Sequence, residues 1–226
     1  ALAFPLLNGT FDLSIESPCA LGGTLCGLLV TDGLYGLKTG MVMAIVISVL
    51  LCCIIGVVNG IIVSRTKIDP FIVTLGTQTV VRGVVYIVSD NTAVTQLPPA
   101  FKSLSTGTIF GVSVSVWTLI FVFAVMALVL GKTSYGRKIY AIGGNYQAAY
   151  NSGINVKRIR FSTYIIAAGL SALAGILSTA RVGSATPGAA SGYATIAISA
   201  CAIGGVSLSG GKGLAIGVFL GALMMG

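Results

Sequence analysis

Charge is what this sequence has least of. Only 8% of its 226 residues are charged, where soluble globular domains carry about 25%. Histidine is missing altogether. The acids are Asp12, Glu16, Asp32, Asp69 and Asp90, scattered singly along the chain. These gaps exclude histidine-based catalysis and zinc hydrolysis, and leave no carboxylate dyad to share a proton, so an enzyme is disfavoured and neither a catalytic nor a metal site is expected. The five cysteines are Cys19, Cys26, Cys52, Cys53 and Cys201. All lie in apolar stretches without a C-x-x-C pair, which suits small packing residues between helices.

What is abundant is apolar: 55% of the residues are hydrophobic, and the mean hydropathy is +1.00. Most of the surface must therefore face lipid. The expected class is all-α, a polytopic transmembrane helical bundle with Gly-interrupted helices, over residues 1–226 as a single transmembrane domain. Spans of the required length, about 20 residues, are legible at Met41–Val63, Pro70–Val88, Val112–Gly131 and Phe161–Ala180. Two stretches are harder. Ser17–Thr31 is short and holds Pro18 and three glycines, and Thr195–Gly226 is broken by SLSGGKG around Lys212. Such breaks are tolerated only where protein or a water-filled cavity covers the backbone. The chain starts at Ala1 without Met and stops at Gly226 inside an apolar run, which reads as a fragment.

The net charge of +8 sits in short clusters between apolar runs, the pattern of topology signals rather than of a nucleic-acid surface. Residues 132–160 hold Lys132, Arg137, Lys138, Lys157, Arg158 and Arg160 and no acid, so this loop is placed in the cytoplasm. Counting spans backwards puts 93–111 outside, Arg65 and Lys67 inside, and Asp32–Thr39 outside. Arg181 falls on the opposite side, alone.

The same loop carries a local pattern. Gly143 and Gly144 precede Asn145, a residue type that accepts hydrogen bonds from first-turn amides; seven residues follow, and Gly153 can adopt the left-handed conformation that ends a helix. A two-turn helix is marginal alone in water and needs something to lie against. Ala148 and Ala149, read as exposed, would permit close approach. From spacing alone an ordinary structured loop and a docking element both stand. Arg82 lies within a span, either as a functional charge or reaching the outer interface with its long side chain. Asn59 is placed to hydrogen-bond between helices or to line a pathway. Gly204, Gly205, Gly210 and Gly211 are candidates for close packing or for hinges.

Four stretches carry a resemblance: FDLSIES around Asp12–Ser14, Gly56–Gly83, Gly136–Ile154 (GRKIYAIGGNYQAAYNSGI), and Ile203–Gly213 (IGGVSLSGGKG). In order and separation they resemble the membrane permease subunits of bacterial sugar-type ATP-binding-cassette importers, those for ribose, xylose and galactose, with the family's first and last helices lying outside this sequence. The resemblance implies a multi-pass subunit of the bacterial inner membrane. It would pair with a second permease subunit, identical or related, to enclose a monosaccharide pathway. It would bind no cofactor, ATP being used by a separate cytoplasmic ATPase, and an extracytoplasmic binding protein would deliver the solute. It also implies that Gly143, Gly144, Asn145, Ala148, Ala149 and Gly153 form the ATPase-coupling element. Two departures stand out. Glu16 takes a position that is often Gly, and the acidic pair often found after Gly-Tyr is absent at Gly192-Tyr193-Ala194-Thr195, so that any role of those acids is vacant or transferred. Permeases for nucleosides or other small solutes share the architecture. A self-contained secondary transporter, the reading from another class, would need buried pathway carboxylates that the four legible spans do not contain.

Overall fold

The computed structural model describes residues 1–31 and 39–226; the expected outer loop Asp32–Thr39 therefore lies, apart from Thr39, outside the described residues. Helices occur in the order α1 (Ala3–Leu7), α2 (Glu16–Val30, preceded by a 3-10 turn at Leu13–Ile15), α3 (Met41–Arg65), α4 (Pro70–Val88), α5 (Pro99–Thr106), α6 (Val114–Lys132), α7 (Ser134–Gly144), α8 (Tyr146–Asn151), α9 (Val156–Val182), α10 (Tyr193–Ile203) and α11 (Ala215–Met225). A two-residue hairpin, β1 (Thr108–Ile109) with β2 (Val112–Ser113), turns through Phe110 and Gly111, both with positive φ, between α5 and α6.

Among the described residues five segments are long and apolar enough to cross a membrane: 13–30, α3, α4, α6 and α9. All four legible spans become helices, and both difficult stretches resolve. Pro18 falls in the first turn of α2, where a ring without an N–H costs no helical bond. Residues 195–226 fold as two short helices, α10 and α11, of 11 residues each. At 1.5 Å per residue each is about 16 Å long, roughly half the hydrocarbon thickness.

The bundle centres on α9, flanked by α2 and α3. Small residues set the approach. A methyl group on Gly22 would lie 2.9 Å from the Ala172 backbone, one on Gly56 would lie 2.6 Å from the Tyr164 carbonyl, and one on Gly175 would run into the Cys19 carbonyl. In lipid, where apolar helices gain nothing by leaving an apolar solvent, such close backbone contact is the main source of helix association. The stretch 13–30 is consequently 89% buried, although its composition made it the least legible span, whereas α4 and α6 are 11% and 6% buried and form the rim. Asp69, whose carboxylate accepts a 2.8 Å bond from the Phe71 amide, and Pro70 in the first turn fix the start of α4.

Because the α2–α9 contact leaves no room for one carbon, Gly175→Ala should destabilise the bundle by about 1–3 kcal/mol, read as a lower midpoint of denaturant-driven unfolding in bicelles. Gly76→Ala, where nothing lies within 4 Å, should leave that midpoint unchanged.

Candidate functional site

Two regions gather the functional candidates. The first is the segment between α6 and α9. Thr133 accepts a 3.2 Å bond from the Gly136 amide and starts α7. Asn145 then turns the chain and caps α8, its Oδ1 accepting from the Ala148 amide at 2.9 Å. At the far end Gly153 has φ +78°; its amide donates to the Tyr150 carbonyl and the Ile154 amide to the Ala149 carbonyl, the paired bonds of a Schellman closure. Asn145 and Gly153 thus stand at the two ends of α8.

Ala149 is a correction. It is buried, 4% exposed, and belongs to one apolar cluster with Ile139, Ile142, Val156 and Ile159. A six-residue helix can persist only by burying one face, and this is the face it buries. Ala148 remains outside, and the exposed side of α8 carries Tyr146 and Tyr150, the latter 61% exposed. Arg160, expected only as a topological anchor, lies over the Tyr146 ring with 4.9 Å from guanidinium carbon to centroid. The two glycines of the pair also separate. Gly144 has open space, whereas a methyl on Gly143 would meet the Leu7 carbonyl and the Gly211 amide.

That contact joins the loop to the chain's other irregular stretch. Gly9, Gly143, Gly144, Gly210 and Gly211 mark a crossing of backbones: a methyl on Gly210 would lie 2.6 Å from Gly9, and one on Gly211 about equally close to Gly144. The Gly211 amide donates to the Leu7 carbonyl at 2.9 Å, and the Tyr140 hydroxyl to the Gly213 carbonyl at 2.9 Å. Burial pushes the Tyr140 phenol above its ordinary pKa. Gly204 packs against the backbone of Gly217, while Gly205 (φ +77°) has open space and supplies a left-handed turn. Gly204, Gly210 and Gly211 all occupy close-packing positions.

The second region is polar and lies among α2, α3, α4 and α10. Asn59 is fully buried. Its Nδ2 donates to Ser14 Oγ at 2.9 Å and its Oδ1 accepts from Thr77 Oγ1 at 2.7 Å, while Ser14 Oγ donates to Asp12 Oδ1 at 2.5 Å. Asn59 therefore ties α3 to α4 and to the turn before α2. Arg82 does not extend away from the bundle. One guanidinium nitrogen donates to the Pro187 and Ala189 carbonyls at 2.9 and 2.7 Å, and the other stands 3.8 Å from Glu16 Oε2. Glu16 also accepts 2.9 Å bonds from Gln78 Nε2 and from the Ala194 amide in the first turn of α10. Where residues 194–195 carry no acid of their own, the carboxylate that meets the Ala194 amide comes from Glu16 of α2. Sequence reading missed Glu16 as the partner of Arg82, and Gln78 as a second partner of Glu16. The signal was the four-residue spacing of Gln78 and Arg82 on one helix face, together with the scarcity of acids.

Comparison with known proteins matches residues 1–226 to the family described as the branched-chain amino acid transport system / permease component. The chain belongs to this permease family. The ribose import permease protein RbsC of Haemophilus influenzae is 37% identical over 229 residues, covering 100% of this chain and 69% of the relative. RbsC of Bacillus subtilis is 37% identical over 227 residues with the same coverage. The L-arabinose ABC transporter permease protein AraH of Azospirillum brasilense is 35% identical over 225 residues, covering 100% of this chain and 65% of the relative. No solved structure matches. The protein is accordingly a transport permease subunit rather than an enzyme, and a multi-pass membrane protein.

Asn59→Leu should strip two interhelical hydrogen bonds from the permease and leave Thr77 and Ser14 short of a partner, at a cost of about 1–2 kcal/mol. Unfolding in bicelles should show it as a lowered midpoint, with Asn59→Gln recovering only part.

Proposed function

We propose that this permease is the membrane subunit of an ATP-driven importer for a monosaccharide of the ribose or arabinose kind. The observation that carries the reading is the identity of 35–37% to ribose and arabinose permeases along essentially the whole chain. In this reading two permease subunits, identical or related, enclose the pathway. A binding protein delivers the solute from outside, and a cytoplasmic ATPase pair supplies the energy. This chain holds no nucleotide itself.

The segment 132–160 is the cytoplasmic contact with the ATPase. Its basic residues support that side of the membrane. Its geometry supports the contact: α8 is capped at both ends, rests on an apolar cluster and turns Tyr146, Ala148 and Tyr150 outward. Aromatic side chains presented on a rigid element suit burial in a partner's groove. Closure of the ATPase on ATP can move the permease only through contacts that differ between two states. Here such motion has a route inward, because α7 is joined through Gly143 and Tyr140 to the 204–213 turn and so to α10 and α11.

Co-purification of the ATPase with the complete permease, together with uptake of labelled ribose and L-arabinose, tests the reading. Tyr150→Glu should cut ATPase retention about tenfold or more while leaving the permease folded. Ala149→Glu should instead unfold α8 and lower thermal stability. Uptake of a branched-chain amino acid in place of either pentose would overturn the solute class. Uptake that follows an ion gradient without any ATPase would overturn the importer reading.

A further inference from the structure

The proposed importer cycle leaves one polar cluster in the bundle without a role. Glu16 and Arg82 form the one ion pair among the described residues. Their side chains are 7% and 16% exposed. They reach each other from α2 and α4 and both continue to a third body: Glu16 to the first-turn amide of α10, and Arg82 to the Pro187 and Ala189 carbonyls of the irregular segment before it. Gln78, one turn before Arg82, also binds Glu16, and Ser17 Oγ donates to the Gln78 carbonyl at 2.8 Å, so α2 and α4 are held together independently of α10. The third body is attached differently. Residues 183–192 form no helix; they are pinned by one antiparallel bridge, Ala185 to Val94, and beyond it pass through left-handed backbone at Ala190 and Gly192 just before α10.

We propose that Glu16 and Arg82 are positioning residues for transport: together they latch the half-helix α10 to α2 and α4 in one state of the cycle and release it in the other. Three features favour a latch over a permanent weld. The ion pair is a single 3.8 Å approach, and the Arg82 nitrogen that makes it has no hydrogen-bond partner, so the geometry is not the bidentate fork of a static arginine–carboxylate pair. The bonds that break on release are those to the Ala194 amide and to the Pro187 and Ala189 carbonyls, so the opposite charges left on α2 and α4 still neutralise each other when α10 departs. And the amide that Glu16 occupies is at the positive end of a helix, where the carboxylate is favoured but replaceable by any acceptor. The opposite end of α10 is joined by the glycine crossing to α7, so releasing its start would let the cytoplasmic segment swing it.

The latch rests on the importer reading only for its timing, and it can be read without solute or ATP. Two forms of the complete permease assembled with its ATPase would be prepared, one keeping Cys201 of α10 as its sole thiol and one keeping Cys52 of α3; both positions are buried in the wild-type chain. Glu16→Gln and Arg82→Gln should each raise the rate of N-ethylmaleimide labelling of Cys201 about fivefold or more, with Cys52 unchanged. Arg82→Lys keeps the charge on one donor head, which cannot reach Pro187, Ala189 and Glu16 together. It should give an intermediate rate, and it decides the matter if the neutral variants fail to assemble. In proteoliposomes the neutral variants should lose uptake Vmax and gain solute-independent ATP hydrolysis while the KM for solute stays within about twofold. Labelling that rises equally at both cysteines would show general loosening and overturn the latch, as would labelling that rises at neither. A wild-type complex that takes up neither ribose nor arabinose would instead sink the solute reading and leave the labelling comparison intact.

Discussion

In hydrocarbon a helix that stops halfway leaves amides and carbonyls that lipid cannot satisfy. The rest of this structure depends on how that debt is met at α10. Its start is covered by Glu16, its preceding carbonyls by Arg82, and its end by a turn whose amide at Gly211 is taken by Leu7. Each partner comes from a different element. The segments on either side of α10, 183–192 and 204–213, are therefore shaped by their neighbours, α1, α2, α4, α7 and the bridge to Val94, which is why a mostly apolar chain retains a buried acid and a largely covered arginine.

Close packing makes those reaches attainable. Side chains of ordinary length span from α2 and α4 to α10 because the bundle is drawn tight along α9 by Gly22, Gly56, Gly60 and Gly175. The same device recurs wherever irregular backbone must cross helix: Gly9, Gly143, Gly210 and Gly211 let main chains touch and exchange hydrogen bonds where any Cβ would separate them. Packing and polar satisfaction are thus one constraint here, since a carbon added at a crossing would also pull amides from their acceptors.

How much of this was legible follows from what each signal depends on. Spans α3, α4, α6 and α9 were readable because length and hydropathy are local properties. The caps of α8 were readable for the same reason, Asn145 and Gly153 acting within their own turns. The burial of Ala149 was not, since it depends on Ile139 and Ile159 arriving from neighbouring helices. Nor was the partner of Arg82: Glu16 lies 66 positions earlier in the chain, and the carbonyls lie more than 100 positions later. Sequence exposed the anomaly, a charge in a span, but only the fold shows that the long side chain turns inward. Glu16 was likewise visible as a departure at its own position, while its meaning lay at Ala194.

These placements bear on how a displacement of α7 would reach the middle of the bundle. α10 is short enough to move as a rigid rod, and its two ends are held by different physics. At its start the attachment is electrostatic and strengthens as water is excluded; past its end it is steric, glycine against glycine, and has no comparable dependence on water. A displacement of α7 would be carried through the steric end with little loss, because close-packed backbones transmit shifts rather than absorb them. The electrostatic end is then where the rod must yield, and water entering beside Glu16 and Arg82 would weaken it further. In the proposed latch, opening and hydration would reinforce one another, so that release of α10 would be closer to a two-state switch than to a graded tilt.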